Sequence, residues 1–172
     1  MSALALLSLV LPLPALFVLH DVEEAVVQHR WLLSHEAALR AKFPRLQPLI
    51  THLLQLDTRA FLVAALEEWL LLMGVTAYVL LQAPYATEVW AACFLAFSLH
   101  LLVHVGQALL VRGYVPGLVS SLLLLPYAAY GFWSIWLVMS GWSMLLLAGA
   151  GWLVLLANLG FSHWIGLKCR RR

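Results

Sequence analysis

The sequence predicts an all-α integral membrane protein, a helical bundle of about five transmembrane helices with a cytoplasmic interfacial segment. Three observations carry this. Of the 172 residues, 64% are hydrophobic and only 10% charged; one soluble core of this size could not hide so much apolar surface. Five stretches reach the roughly 20 apolar residues that a bilayer core requires of a helix. All ten Lys and Arg residues fall in places that share one side of the membrane if the chain crosses five times.

The spans run approximately over 3–27, 59–83, 88–111, 116–140 and 142–167. The chain is apolar from its first residues, lacks the basic n-region of a secretory signal, and reads as a retained first helix. The stretch of about 31–57 mixes Leu with Arg, Lys and His and holds Pro44 and Pro48. It is too charged to span, and predicts a broken amphipathic segment lying along the interface. Pro84 follows the second span, and Arg112-Gly113-Tyr114-Val115-Pro116-Gly117 separates the third from the fourth. Pro116 suits the first turn of a helix, where its missing N–H costs nothing. Ser140-Gly141 makes a short hairpin before the last span. The length suits one domain over 1–172, without internal repeat or low-complexity tract. Cys93 in mid-span and Cys169 beside the terminal arginines lie too far apart in depth to pair.

Orientation follows from the basic residues. Arg30, Arg40, Lys42, Arg45 and Arg59 lie in the first connection, Arg112 in the third, and Lys168, Arg170, Arg171 and Arg172 at the C-terminus. The N-terminus and the other two connections hold none. Positive charge stays inside, so the N-terminus is expected outside and the C-terminus in the cytoplasm, as in a bacterial inner-membrane protein.

Against this apolar background the ionisable groups inside the spans stand out, since each costs about 2.5–3.5 kcal/mol on insertion. The first span holds His20-Asp21-Val22-Glu23-Glu24, the second Glu67-Glu68, the third His100, His104 and Gln107, and the fifth Asn158, Ser162 and His163. Counted inward from the cytoplasmic ends, the main groups lie about four to eleven residues deep, a spread of one or two helical turns. His20 and Glu24 are i,i+4 neighbours, and His100, His104 and Gln107 form one stripe. Glu67 and Glu68 are about 100° apart, so they cannot face one centre equally well.

Buried glutamates need a compensating charge, and no Lys or Arg lies within the spans to supply it. A divalent cation does so directly. His20, Glu23, Glu24, Glu67, His100 and His104 are therefore the candidate metal ligands, with zinc favoured and a di-iron or di-manganese centre as the alternative. Glu24, Glu67 and Glu68 are the candidate catalytic carboxylates. A metal-free network of neutral Glu and His that glues the helices together is the bland reading. His29, His35 and His52 read as ordinary interface residues, and His163 as either ligand or interface. Tyr127, Tyr130, Trp133 and Trp136 recur every third residue in the fourth span, as packing or belt aromatics do.

The run His20-Asp21-Val22-Glu23-Glu24 resembles the signature of the HXXEE-domain family of small membrane proteins. Glu67-Glu68, His100-Leu101-Leu102-Val103-His104 and Gly113-Tyr114-Val115-Pro116-Gly117 fit that family's pattern too. The resemblance covers 20–117 and implies a compact helical membrane protein, in a family named by motif rather than activity. Glutamate-type intramembrane proteases fit less well. They expect a basic residue one turn after Glu-Glu, where this chain has Ala25-Val26-Val27-Gln28.

The function expected from these residues is metal-dependent catalysis, most simply hydrolysis, on a lipid or other membrane-dissolved small molecule reached from the cytoplasmic leaflet. An oxidoreductase with two bridged metals is the second expectation. A metal or proton transporter is the third, disfavoured because the outer halves of the spans are almost wholly apolar. Nothing points to nucleic acid.

Overall fold

The computed structural model describes residues 3–170 and the side chains of residues 7–169. Arg171 and Arg172, counted in the C-terminal basic cluster, lie outside the described residues. Every regular element among those described is helical: α1 (Ala3–Val10), α2 (Pro12–Lys42), a 3-10 turn (Pro44–Leu46), α3 (Gln47–Gln55), α4 (Thr58–Leu80), α5 (Ala86–Val111), α6 (Leu118–Trp136) and α7 (Gly141–Arg170).

Four of these, α4 to α7, are long and apolar enough to cross a membrane. Their outward faces are Leu, Val, Phe and Trp side chains left exposed, as lipid-facing helices require. Tyr130, Trp133 and Trp136 of the aromatic series are exposed in this way. Tyr127 instead turns inward and donates to the Leu9 carbonyl.

The N-terminal stretch, expected as a first span over about 3–27, is not among these four and is built differently. It is jointed at Leu11, where Pro12 and Pro14 each remove a backbone donor. Leu9, Val10 and Leu13 are fully buried there against Trp90, Phe94 and Leu124. After this joint α2 does not stop near residue 27 but continues for 31 residues to Lys42. No helix breaker intervenes before Phe43-Pro44, and Arg40 pairs with Glu36 one turn back at 2.8 Å. The expected interfacial segment is thus the end of α2, a turn and α3, broken at Pro44.

Close packing between helices rests on small residues. Gly151 of α7 lies against the Ala92 carbonyl of α5, and Gly166 against the Ala60 carbonyl of α4; neither leaves room for a Cβ. The Asp57 carboxylate caps α4 by accepting from the Ala60 N–H at 2.9 Å. At the start of α6, Pro116 lies outside the helix rather than in its first turn. Gly117, with φ +80°, occupies the N-cap and turns the chain before Leu118.

Contacts such as Lys42 to the Val111 carbonyl and Gly166 to Ala60 gather the first connection, the α5–α6 turn and the end of α7 at one end of the bundle. That is the end carrying the described basic residues.

Candidate metal centre

Each residue of the HxxEE run points where the helical period sends it. On α2, His20 and Glu24 stand one above the other on the face turned to α5, while Glu23 lies about 100° round, facing α6. On α5, His100 and His104 form the matching i,i+4 pair. The result is a convergent cage of four side chains, His20, Glu24, His100 and His104, each offering a ligand atom within 4.8 Å of the others.

The nitrogens are closest. His100 Nε2 lies 3.1 Å from His20 Nε2 and 3.0 Å from His104 Nε2. Glu24 Oε2 lies 3.8 Å from His20 Nε2 and 4.0 Å from His100 Nε2, and Glu24 Oε1 lies 3.6 Å from His104 Nε2. Two imidazole ligands on one tetrahedral zinc, with Zn–N near 2.0–2.1 Å, stand about 3.3–3.4 Å apart. The spacing fits a shared cation.

It fits a hydrogen-bonded network poorly. A ring nitrogen has one in-plane position, either a lone pair or an N–H. His100 Nε2 has two ring nitrogens at hydrogen-bond distance and can satisfy only one of them. A cation at the centre accepts all three lone pairs at once.

The outer contacts fix the lone pairs inward. Glu23 accepts four hydrogen bonds: from Ser120 Oγ (2.6 Å), the Ser120 N–H (2.6 Å), the Val119 N–H (3.2 Å) and Tyr114 Oη (2.8 Å). Gly117 has no side chain to cap α6, so Glu23 caps it from α2, with its negative charge at the positive end of the helix. Because the Ser120 hydroxyl donates to Glu23, its oxygen accepts from His20 Nδ1 at 2.9 Å. That assigns the proton of His20 to Nδ1 and leaves Nε2 free for the cage. Burial, with the hydrogen bond to Glu23 added, pushes the Tyr114 phenol up to about 12, so it remains a donor at neutral pH.

His104 is held sterically. Its Nδ1 is buried beside the Pro116 carbonyl without a partner in standard hydrogen-bond geometry among the described residues. A Cβ on Gly117 would lie 2.8 Å from His104 Cε1 and Nδ1 and 3.0 Å from His20 Cε1. Gly117 is therefore the lid over two imidazoles.

The cage opens on one side. Side-chain exposure is 0% for His20 and 6% for His104, but 13% for Glu24 and 24% for His100. Glu24 and His100 face a cavity of about 50 Å³ whose other polar walls are Asp21, Glu68 and His163. By the same measure one water needs about 10–15 Å³, so the cavity has room for a few waters and for no whole lipid.

The remaining expected residues are placed as follows. Glu23 stands outside the four-residue group as the partner of Ser120 and Tyr114. Glu67 also stands outside it and off the cavity wall, accepting from Asn158 Nδ2 at 3.1 Å. Glu68 lines the cavity and accepts from Ser162 Oγ at 2.6 Å. These two bonds tie α4 to α7. Gln107 is exposed near the end of α5. His35 bonds locally to Ser34 and to the Trp31 carbonyl, whereas His52 reaches across to His163. Ser120 was not singled out from the sequence, and Gly117 was named only as part of the turn and landmark Gly113-Tyr114-Val115-Pro116-Gly117. Their only signal was the Gly-Tyr-Val-Pro-Gly turn just before α6.

Comparison with curated proteins and with solved structures finds no match. A family profile described as protein of unknown function with HXXEE motif matches residues 11–131, a stretch holding all four cage residues together with Glu23, Gly117 and Ser120, and the chain belongs to that family.

Proposed function

We propose that this protein is a membrane-embedded metalloenzyme, most simply a zinc hydrolase, acting on a lipid or other membrane-dissolved substrate. The observation that carries the reading is the convergence of three imidazole Nε2 atoms and one carboxylate beside a small cavity with Asp21, Glu68 and His163 on its otherwise largely apolar wall. His20, His100, His104 and Glu24 hold the cation. A divalent ion there would supply Lewis acidity toward water and toward a carbonyl or phosphoryl oxygen.

The chain's own residues do the rest. Glu23 and Ser120 keep His20 in the tautomer that presents Nε2. Gly117 lets the α5–α6 turn close over the rings and exclude bulk water. Glu68, facing the same cavity but outside the four-ligand group, takes the proton from the attacking water. Its bond from Ser162 occupies Oε1 and fixes a side chain that lines the cavity. Glu67, bonded to Asn158, serves to hold α4 to α7.

The placement of the basic residues supports a cytoplasmic location for the end nearest the cage. His104 and His100 lie 7 and 11 residues inside the end of α5, at depths of about 10 and 16 Å. A substrate would bring its polar group to the cavity from the cytoplasmic leaflet and leave its tails in lipid.

Isotope transfer tests the reaction class. Metal-loaded protein is incubated with extracted membrane lipids in ¹⁸O-water, and products are read by mass spectrometry. Hydrolysis places solvent ¹⁸O in a product that the Glu68→Gln variant does not form. Oxygen arriving instead from ¹⁸O₂ would replace hydrolysis with the oxidase reading. That second reading has one observation in its favour: Asp21 and Glu68 line the same cavity as Glu24, so further carboxylates that could hold a second metal are at hand.

A further inference from the structure

We infer that the cation enters the cage from the α3 end through the cavity, with His52 and His163 as the pair that first receives it. The inference rests on the proposed metal cage. His20 has no exposed surface: Phe97, itself on the cavity wall and packed on Phe17 at 6.2 Å, covers its ring edge-on at 6.1 Å, and His20 is not among the cavity's lining residues. Gly117 closes a second side without room for a methyl group. The cavity side, where Glu24 and His100 keep some exposed surface, is the open one.

Glu68 and His163 stand on the wall of this same cavity. His163 is itself only 7% exposed. Its Nδ1 lies 3.1 Å from Nε2 of His52, which is half-buried on α3 in the connection outside the spans. His52 thus bridges from the interfacial segment to the cavity wall. The separation of the two nitrogens is close to the edge of about 3.3–3.4 Å that two imidazoles show on one zinc.

The physical need for such a pair is plain. An ion stripped of water in an apolar interior costs many kcal/mol, so a path into the bundle must replace each lost water with a protein donor. His163, Glu68, Asp21, His100 and Glu24 supply donors on the cavity wall, among apolar side chains such as Phe17, Phe61 and Leu159, and His52 stands behind His163. An alternative role for the His52–His163 pair is a clamp between α3 and α7. The two roles separate by kinetics. A residue acting only on the path changes the rates of loading and release by the same factor and leaves Kd unchanged. A clamp changes stability and leaves the loading rate alone.

The test uses full-length protein in detergent micelles, stripped with chelator and mixed rapidly with Co²⁺, whose ligand-field absorption reports occupancy. His52→Ala and His163→Gln are expected to load at least about tenfold more slowly than wild type, with final stoichiometry and Kd unchanged. Ala64→Leu, which fills the cavity from its α4 wall, is expected to slow loading as well. His52→Ala sits on the half-buried surface helix and keeps the test decisive if the buried variants fail to fold. Loading of His52→Ala at the wild-type rate overturns the entry route and leaves the cage standing. Weaker equilibrium binding without slower loading also overturns it, by making the pair part of the resting site. A wild-type protein that takes up no Co²⁺ overturns the cage, and the entry route with it.

Discussion

Replacing Gly117 with Ala probes the cage without touching a ligand. Two costs are readable from the structure. The backbone at Gly117 has φ +80°, a left-handed conformation that costs a residue with a Cβ about 1–2 kcal/mol. The new Cβ would stand 2.8 Å from His104 Cε1 and Nδ1, where ordinary contact begins at 3.4 Å. The ring must therefore yield by 3.4 − 2.8 = 0.6 Å. Metal–ligand bonds tolerate about 0.2 Å. The displacement exceeds that threefold, so zinc affinity should fall by about 10–100-fold, the usual effect of disturbing a ligand's support. Competition with a chromophoric chelator measures the affinity, and melting in excess chelator measures the apo-protein separately. Gly106→Ala is the control, two residues from His104 on the same helix with nothing within 4 Å of the added carbon. It should leave affinity unchanged and raise stability by up to about 1 kcal/mol. Wild-type affinity in Gly117→Ala would refute the idea that this turn shapes the cage.

Other perturbations separate the roles of neighbouring acids. Glu23→Gln should lower zinc affinity about 10–100-fold through the tautomer of His20, and destabilise the fold by about 1–3 kcal/mol through the α6 cap. Ser120→Ala should match its effect on affinity with a smaller loss of stability, because the backbone contacts to Glu23 survive. Equal stability losses would show that the cap is not made by the carboxylate. Glu67→Gln and Asn158→Leu should cost about 1 kcal/mol and leave metal content unchanged; loss of metal in either would put Glu67 back in the site. A fluorescent protein fused after Arg172 should fold and fluoresce in the cytoplasm, while an active phosphatase at that position would reverse the orientation.

Much of this architecture was legible in the sequence, and the reasons it was are physical. Lipid leaves a chain little choice but helix, so apolar runs and the Pro-Gly breaks between them located α4 to α7 within a few residues. The i,i+4 spacing of His20 with Glu24 and of His100 with His104 made two candidate ligand pairs visible before any contact was known. The division between Glu23 and Glu24 was not legible. Adjacent residues on a helix diverge by about 100°, and only the position of the α6 N-terminus beside α2 decides which of them is claimed by backbone N–H groups. The choice between Glu67 and Glu68 likewise depended on where α7 placed Asn158 and Ser162. The continuation of α2 to Lys42 was hidden because charge density signals where a helix leaves the apolar layer, not where it ends. His52 and His163 stand 111 residues apart in sequence and come together only through the packing of α3 on the bundle.

The central claim is that His20, Glu24, His100 and His104 form a metal cage. Elemental analysis of purified, metal-replete protein tests it most directly, with His100→Ala and Glu24→Gln prepared alongside. The account predicts stoichiometric zinc in the wild type, lost in both variants and retained in Glu67→Gln. Wild-type protein without stoichiometric metal, or His100→Ala retaining it in full, would contradict the account.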